Sequence, residues 1–182
     1  MDEYFDLVDR ERRSLNRIHR RGTPLEAGTY HNVVSVWTMN RDGRVLLTLR
    51  SANRPLMPNL WENTSGWVLT GESSVEAALR ELEEETGIEA TPEQTTLLGT
   101  LLKIQSFVDV YLVRVDIDPK SIRLQKEEAI SYRWEDEAGL QVLHEEQLLA
   151  FPIAFEFEPF RTALRQADRK STRLNSSHTM TS

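Results

Sequence analysis

The chain reads as a single α/β domain on three observations. Runs rich in β-branched and aromatic residues, YHNVVSVWTM at 30–39, RVLLTLR at 44–50 and SFVDVYLVRV at 106–115, have the composition of strands. Between the second and third, residues 73–86 space their apolar side chains as a core-facing helix does. At 182 residues the chain is long enough for one proper core, and one domain is the default.

Taken in order, residues 4–8 (YFDLV) and 15–19 (LNRIH) flank the polar DRERR and predict a hairpin. Residues 1–27 are therefore a lead-in, ending in a Gly/Pro connector. The strands at 30–39 and 44–50 are joined by Asn40-Arg41-Asp42-Gly43, where Gly supplies positive φ, and read as a β-hairpin. Residues 51–65 carry two prolines and little periodicity, as a loop does. In the helix that follows, Val75, Ala78, Leu79, Leu82 and Thr86 share one side. Ser73 with Glu76 fits a capping box, and Gly87 suits a left-handed C-terminal cap. Residues 95–103, 106–115 and 129–134 continue as strands, with a polar loop at 116–128. Helical segments are expected at 135–148 and 159–168. The ending, STRLNSSHTMTS, is Ser/Thr/Asn-rich with no apolar face. Residues 169–182 are therefore expected to be disordered and foreign to the domain, similar to translated adapter sequence. The domain is placed at 28–168, and His178 is set aside as a ligand.

Net charge is −7, from 22 basic and 29 acidic residues. An acidic chain is poorly suited to gripping a nucleic-acid backbone, so no nucleic-acid polymer is expected as partner. The chain contains no cysteine, which excludes disulfides, thiolate metal sites and Cys nucleophiles. No apolar h-region opens the chain and no run approaches a membrane span, so a cytoplasmic location without membrane attachment is expected.

Residues 66–88 hold Glu72, Glu76, Glu81, Glu83, Glu84 and Glu85. Glu81, Glu84 and Glu85 stand at i, i+3 and i+4 and share one narrow helix face. Glu83 projects about 160° away from that face. Like charges so spaced repel by a few tenths of a kcal/mol per pair. An isolated acidic run is usually a solvated face. Here Arg80 offsets part of the repulsion, and a hard divalent cation, which takes oxygen ligands, would offset more.

The whole spacing favours the cation. Gly66, five residues, Glu72, seven residues, then Arg80-Glu81-Leu82-x-Glu84-Glu85-x-Gly87-Ile88 is identified as the complete signature of the Nudix hydrolases, GX5EX7REUXEEXGU with U aliphatic. The resemblance spans residues 28–165. It implies an α/β/α sandwich with a mixed β-sheet, the motif forming a loop, a helix and a loop. It implies hydrolysis of a pyrophosphate linked to another moiety, commonly a nucleoside diphosphate derivative. By motif position, Glu81, Glu84 and Glu85 would hold Mg²⁺ or Mn²⁺, with the Gly66 carbonyl a further ligand. Arg80 would orient Glu81, and Glu81 is the first candidate for activating water, with Glu84, Glu85 and Glu128 behind it. Glu72 would support the site from the loop. Glu128 is the candidate for an acidic ligand outside the motif, with Glu127 the neighbouring alternative. Such chemistry needs charge neutralised on phosphate oxygens and an aligned water, both of which a bound metal supplies.

The stretches YHNVVSVWTMNRDGRVLLTLRS and PNLWENTSG are also similar to the branch containing the isopentenyl-diphosphate isomerases. In the loop opening the motif, isomerases carry a catalytic Cys and a metal-binding His, where this chain has Ser65 and Trp67. His31 matches one isomerase metal histidine but stands alone, and is expected to be a half-buried strand residue. Asp109 is the one carboxylate in 106–115. Hydrolase is therefore favoured over isomerase. A non-catalytic binding module ranks third, since such domains usually lack a glutamate or the arginine. The expected partner is a small diphosphate, with Trp61, Trp67, Phe107 and Tyr111 as candidates for stacking a base. The oligomeric state is left open, a homodimer included.

Overall fold

The structure is a computed structural model and describes residues 1–178. Strands β1 (Tyr4–Val8) and β2 (Ser14–Arg20) form the expected N-terminal hairpin. The body contains β3 (His31–Met39), β4 (Val45–Arg50), β5 (Trp61–Glu62), β6 (Thr64–Trp67), α1 (Ser74–Thr86), a 3-10 turn (Pro92–Gln94), β7 (Thr95–Leu102), β8 (Ser106–Arg114), β9 (Ala129–Glu135), α2 (Glu137–Glu145), α3 (Ile153–Glu156) and α4 (Glu158–His178).

The sheet is mixed. Strand β3 runs parallel to β8 from His31↔Ser106 to Met39↔Arg114, and every other pairing is antiparallel. The path β5-β4-β3-β8-β7 is extended by β6 on β3 and β9 on β4. Alternation along the strands sorts side chains to two faces. Val34, Val36, Leu46, Tyr111 and Val113 pack against Ala77, Ala78 and Leu82 of α1. Trp37, Val45, Leu47, Val110 and Leu112 pack against α2, α3 and α4 through Leu140, Phe155, Phe160 and Leu164. Trp37 stacks on Phe160 at 4.0 Å and 7°, seating the first turn of α4. The result is an α/β/α sandwich. Each fully buried Leu in these two layers contributes about 1.5–3 kcal/mol through area removed from water.

Local chemistry sets the ends of α1 as expected. Ser73 accepts from the Glu76 N–H, Glu76 accepts from the Ser73 N–H, and Gly87 closes the helix at φ 75°. The buried stripe differs from the expected one: Val75 is half-buried at its edge, and Ala77 joins it. Ala77 is fully buried while Leu79 is only half-buried, so two adjacent alanines let the helix backbone lie close to the sheet.

Three further differences matter. The turn at Asn40–Arg44 forms, with the Asn40 N–H donating to the Arg44 carbonyl, but β3 and β4 share only the Met39↔Val45 pair before they part. Residues 51–65, expected as loop, fill the opening: β6 pairs with β3, and β5 pairs with β4. Non-local pairing decides these short strands, which carry little periodicity of their own. The helix expected at 135–148 spans only Glu137–Glu145, begun by Asp136 accepting from the Gly139 N–H and ended before Gln147 at φ 59°.

The tail also differs. Helix α4 runs on to His178, so 169–178 is helical rather than disordered, and the remainder of the expected disordered segment, 179–182, lies outside the described residues. The docked turn around Phe160 and Leu164 nucleates the helix, and Arg, Lys and Leu propagate it at little cost. Its later turns face solvent, Leu174 being 65% exposed. Removing residues 171–182 is therefore expected to leave the melting temperature and activity unchanged, and a truncated chain melting several degrees lower would show that the tail docks. No helix among the described residues is long and apolar enough to cross a membrane.

Candidate active site

The site forms where β6 hands the chain to α1. Arg80, on the second turn of α1, organises it. Its Nε and Nη2 donate to the Glu72 carboxylate at 2.6 and 3.1 Å, and Nη2 also donates to the Trp67 carbonyl at 3.0 Å. Its Nη1 donates to Glu81 at 3.0 Å and to Glu84 at 3.3 Å. One guanidinium thus ties the loop to the helix, as its rigid fork permits. Glu72 is held in turn by the Leu69 N–H at 3.0 Å. Burial alone would raise the Glu72 pKa, but the Arg80 and Leu69 hydrogen bonds bring it below the usual carboxylate value.

Glu81 lies against Gly66. A Cβ placed on Gly66 would stand 2.1 Å from the Glu81 Cδ and Oε1, so Glu81 can occupy this place only while residue 66 has no side chain. Burial pushes the Glu81 pKa up to about 7, with Arg80 opposing and Glu84 and Glu3 adding repulsion. Glu85 is raised well above the usual carboxylate value by burial and then by the negative charges of Glu62, Glu81 and Glu128, with Arg54 opposing. Glu84 and Glu83 are exposed, Glu84 reaching Arg80 and Glu83 projecting to solvent.

Glu128 lies near enough to this group to act on its charges. Glu128 is half-buried, pairs with Arg54 at 3.3 Å and raises the pKa values of both Glu85 and Glu62, whereas Glu127 is exposed. Glu62 escaped sequence reasoning altogether. It sits on β5, ion-paired at 2.8 Å to Arg50; Arg50 is buried and Glu62 half-buried. Burial still raises its pKa despite Arg50. Its only signal is its place in a segment that reads as loop. Arg50 also donates to the Leu56 and Met57 carbonyls and so fixes the 51–60 loop.

Beside Gly66 opens a cleft of about 500 Å³. Arg21, Arg50, Arg54 and Lys103 line it, with Val33, Val108, Leu101, Ile153 and Phe151 as apolar walls. Three of these cations are paired, Arg21 with Glu3, Arg50 with Glu62 and Arg54 with Glu128, which leaves the Lys103 charge to draw an anion into the cleft. Among the described residues Lys103 has no carboxylate partner, its Nζ lying 5.7 Å from the Phe151 ring. Phe151 adopts φ 50°.

Of the aromatics proposed for stacking, only Trp67 lines this cleft. Phe107 is buried beneath Arg12 and against Tyr30, and Tyr111 donates to Ser74 on the α1 side of the sheet. Trp61 packs under Arg133. Strand parity explains the misplacement: odd residues of β8 face α1, even ones the cleft side. His31 is buried, not half-buried, at 8% exposure. It lies 4.3 Å from Trp67 and 4.9 Å from Phe5. Burial, then the charges of His19 and Arg21, lowers its pKa to about 4. Asp109 is likewise occupied elsewhere, bound to Arg12, Ser74 and Thr100.

The fold is an α/β/α sandwich whose carboxylate-bearing helix lies beside an open cleft. The family model of the NUDIX domain matches residues 29–157. An uncharacterized Nudix hydrolase of Listeria monocytogenes, lmo0368, is 32% identical over 147 residues, covering 78% of this chain and 84% of that protein. An isopentenyl-diphosphate Delta-isomerase of Serratia proteamaculans is 30% identical over 149 residues, 75% of this chain and 78% of that protein. The crystal structure of DR0079 from Deinococcus radiodurans superposes with TM-score 0.68 at 22% identity, covering 84% of this chain and 95% of that one. The chain belongs to the Nudix hydrolase family.

Proposed function

We propose that the chain is a divalent-metal-dependent pyrophosphohydrolase acting in the cytoplasm on a small diphosphate, with nucleoside-diphosphate derivatives as the first class to test. The observation that carries this is the crowding of Glu81 and Glu85 with Glu62 and Glu128 beside a cationic cleft. Among the described residues no three or more His, Asp or Glu side chains are already gathered as a metal cage. Their donor chemistry nevertheless fits Mg²⁺ or Mn²⁺: all are hard oxygens, and repulsion among them is what a cation would relieve. In this assignment Glu81, Glu84, Glu85, Glu128 and the Gly66 carbonyl would hold the ion, which would supply Lewis acidity toward phosphate oxygens and acidify water.

The remaining roles fall to the chain's own groups. Arg80 is a positioning residue: bound to Glu72 and the Trp67 carbonyl, it fixes the Glu81 carboxylate from the loop side. Glu81 is the first candidate to take the proton of the attacking water, its carboxylate being held by Arg80 against Gly66. Arg54 keeps a buried Nε without a partner among the described residues, a donor for a phosphate oxygen. Lys103 offers the cleft an uncommitted charge. The apolar walls then receive the rest of the substrate.

Isomerase is the second reading, favoured by the likeness to the Serratia enzyme. Against it, the position of the isomerase metal histidine is Trp67, packed on His31 and Phe5, and the Cys position is Ser65.

The test is a panel of nucleotide sugars, dinucleoside polyphosphates, ADP-ribose, nucleoside triphosphates and prenyl diphosphates, assayed with Mg²⁺. Excess EDTA is expected to abolish turnover while circular dichroism stays unchanged. Full turnover in EDTA would overturn the metal assignment.

A further inference from the structure

The N-terminal hairpin lies outside the matched family domain, yet it is fastened to the site from both ends. Its turn is built around Asp9, whose carboxylate accepts from the N–H groups of Glu11 and Arg13 at 3.0 and 2.8 Å. That turn holds Arg12 at φ 64°, a left-handed conformation that non-glycine residues enter only when their surroundings require it. So placed, Arg12 reaches into the domain. Its Nη1 and Nη2 donate to the two Asp109 oxygens at 2.9 and 2.6 Å, and its Nε donates to Asn32 at 2.9 Å.

Asp109 is almost completely buried, with 4% of its side chain exposed. It also accepts from Thr100 on β7 at 2.7 Å and from Ser74 on the first turn of α1 at 2.6 Å. Tyr111 donates to the same Ser74 hydroxyl at 2.9 Å. Arg12 therefore meets, through one carboxylate, the start of the helix that carries Glu81, Glu84 and Glu85. The other end of the hairpin holds the loop before that helix. The Tyr4 carbonyl accepts from the Thr70 N–H at 2.9 Å, and Phe5 packs edge-on against Trp67 at 4.7 Å. Arg21 lies 4.9 Å from the Trp67 ring and lines the cleft.

We infer that the hairpin is a clamp on the catalytic loop and helix, with Arg12 its fastening and a positioning residue for the carboxylate face. Its effect on metal binding rests on the metal-dependent function proposed above; its mechanical part does not. Arg12 keeps a third of its side chain exposed while Asp109 is buried, so removing Arg12 alone strands the Asp109 charge and only replacement of both avoids it.

Two variants separate clamping from plain stabilisation. Arg12→Met strands the Asp109 charge and is expected to lower the melting temperature. Arg12→Met/Asp109→Asn removes both charges and is expected to recover much of that loss. In both variants Mn²⁺ binding, read by electron paramagnetic resonance of the free ion, is expected to weaken about 10- to 100-fold, the scale seen when the outer partners of metal ligands are lost. The amides of residues 66–71 are expected to exchange faster with solvent deuterium in both. A double variant that regains Mn²⁺ affinity and amide protection together with its melting temperature would overturn the clamp. Should the unmodified protein bind no Mn²⁺, the metal assignment falls, and amide exchange in the double variant alone decides the clamp.

Discussion

Glu81→Gln is expected to lower kcat by roughly 10²- to 10⁴-fold, the range associated with losing a general base, while Glu83→Gln leaves kcat unchanged. The two residues share a helix, a side-chain length and a charge. They differ in surroundings. Glu81 is half-buried against Gly66, bound by Arg80 and titrating near neutrality through burial, whereas Glu83 faces solvent. Both changes keep volume and helix propensity, so stability should differ by at most about 0.5 kcal/mol at the exposed position. Steady-state kinetics with folding checked by circular dichroism decides the matter. Equal losses at both positions would refute the helical phase. A normal kcat for the Glu81 variant would move the proton-accepting role to Glu84, Glu85 or Glu128.

Gly66→Ala should be nearly as damaging to activity and much gentler on the fold. The added methyl would occupy the place of the Glu81 carboxyl group, with Cγ also within 2.4 Å. The atoms displaced are the end of a flexible side chain, so Glu81 swings aside and the backbone pairing of Gly66 with Val34 persists. Swinging aside costs Glu81 its Arg80 contact. A displacement of about 1 Å at a reacting group can cost 10²-fold in rate, and a loss of that order is expected here. The stability cost should stay within the roughly 1–3 kcal/mol of ordinary overpacking. An alanine variant with normal kcat would show that the Glu81 position seen here is not the working one.

The helix and its carboxylate face were legible because local rules govern them. Ser73, Glu76 and Gly87 act within a few residues of themselves, and i, i+3, i+4 spacing alone puts Glu81, Glu84 and Glu85 together. Glu62 and Arg50 were not legible, since their meeting depends on β5 pairing with β4, which no short-range pattern announces. Strand identity was readable along β8, but which of its faces looks into the cleft depends on where β3 and β7 lie. Phe107 and Tyr111 are only candidates for the cleft on sequence, and their odd register on β8 turns them to the α1 side. His31 shows the same limit: its neighbours Phe5 and Trp67 come from two distant segments.

The parting of β3 from β4 has a consequence for how the chain is made. Neighbours in sequence, they offer each other one residue pair, so no early hairpin can hold them. The lasting partner of β3 is β8, and that of β4 is β9 at residues 129–135. During synthesis β6 and β5 can cover one side of β3 and β4 early, but the edge of β3 that meets β8 and the edge of β4 that meets β9 wait, unpaired, until most of the chain has left the ribosome. Contacts so distant in sequence slow folding, and waiting strand edges invite pairing with other chains. Low yield from rapid expression, relieved by slower translation at lower temperature, would follow from this strand order rather than from any weakness of the finished fold.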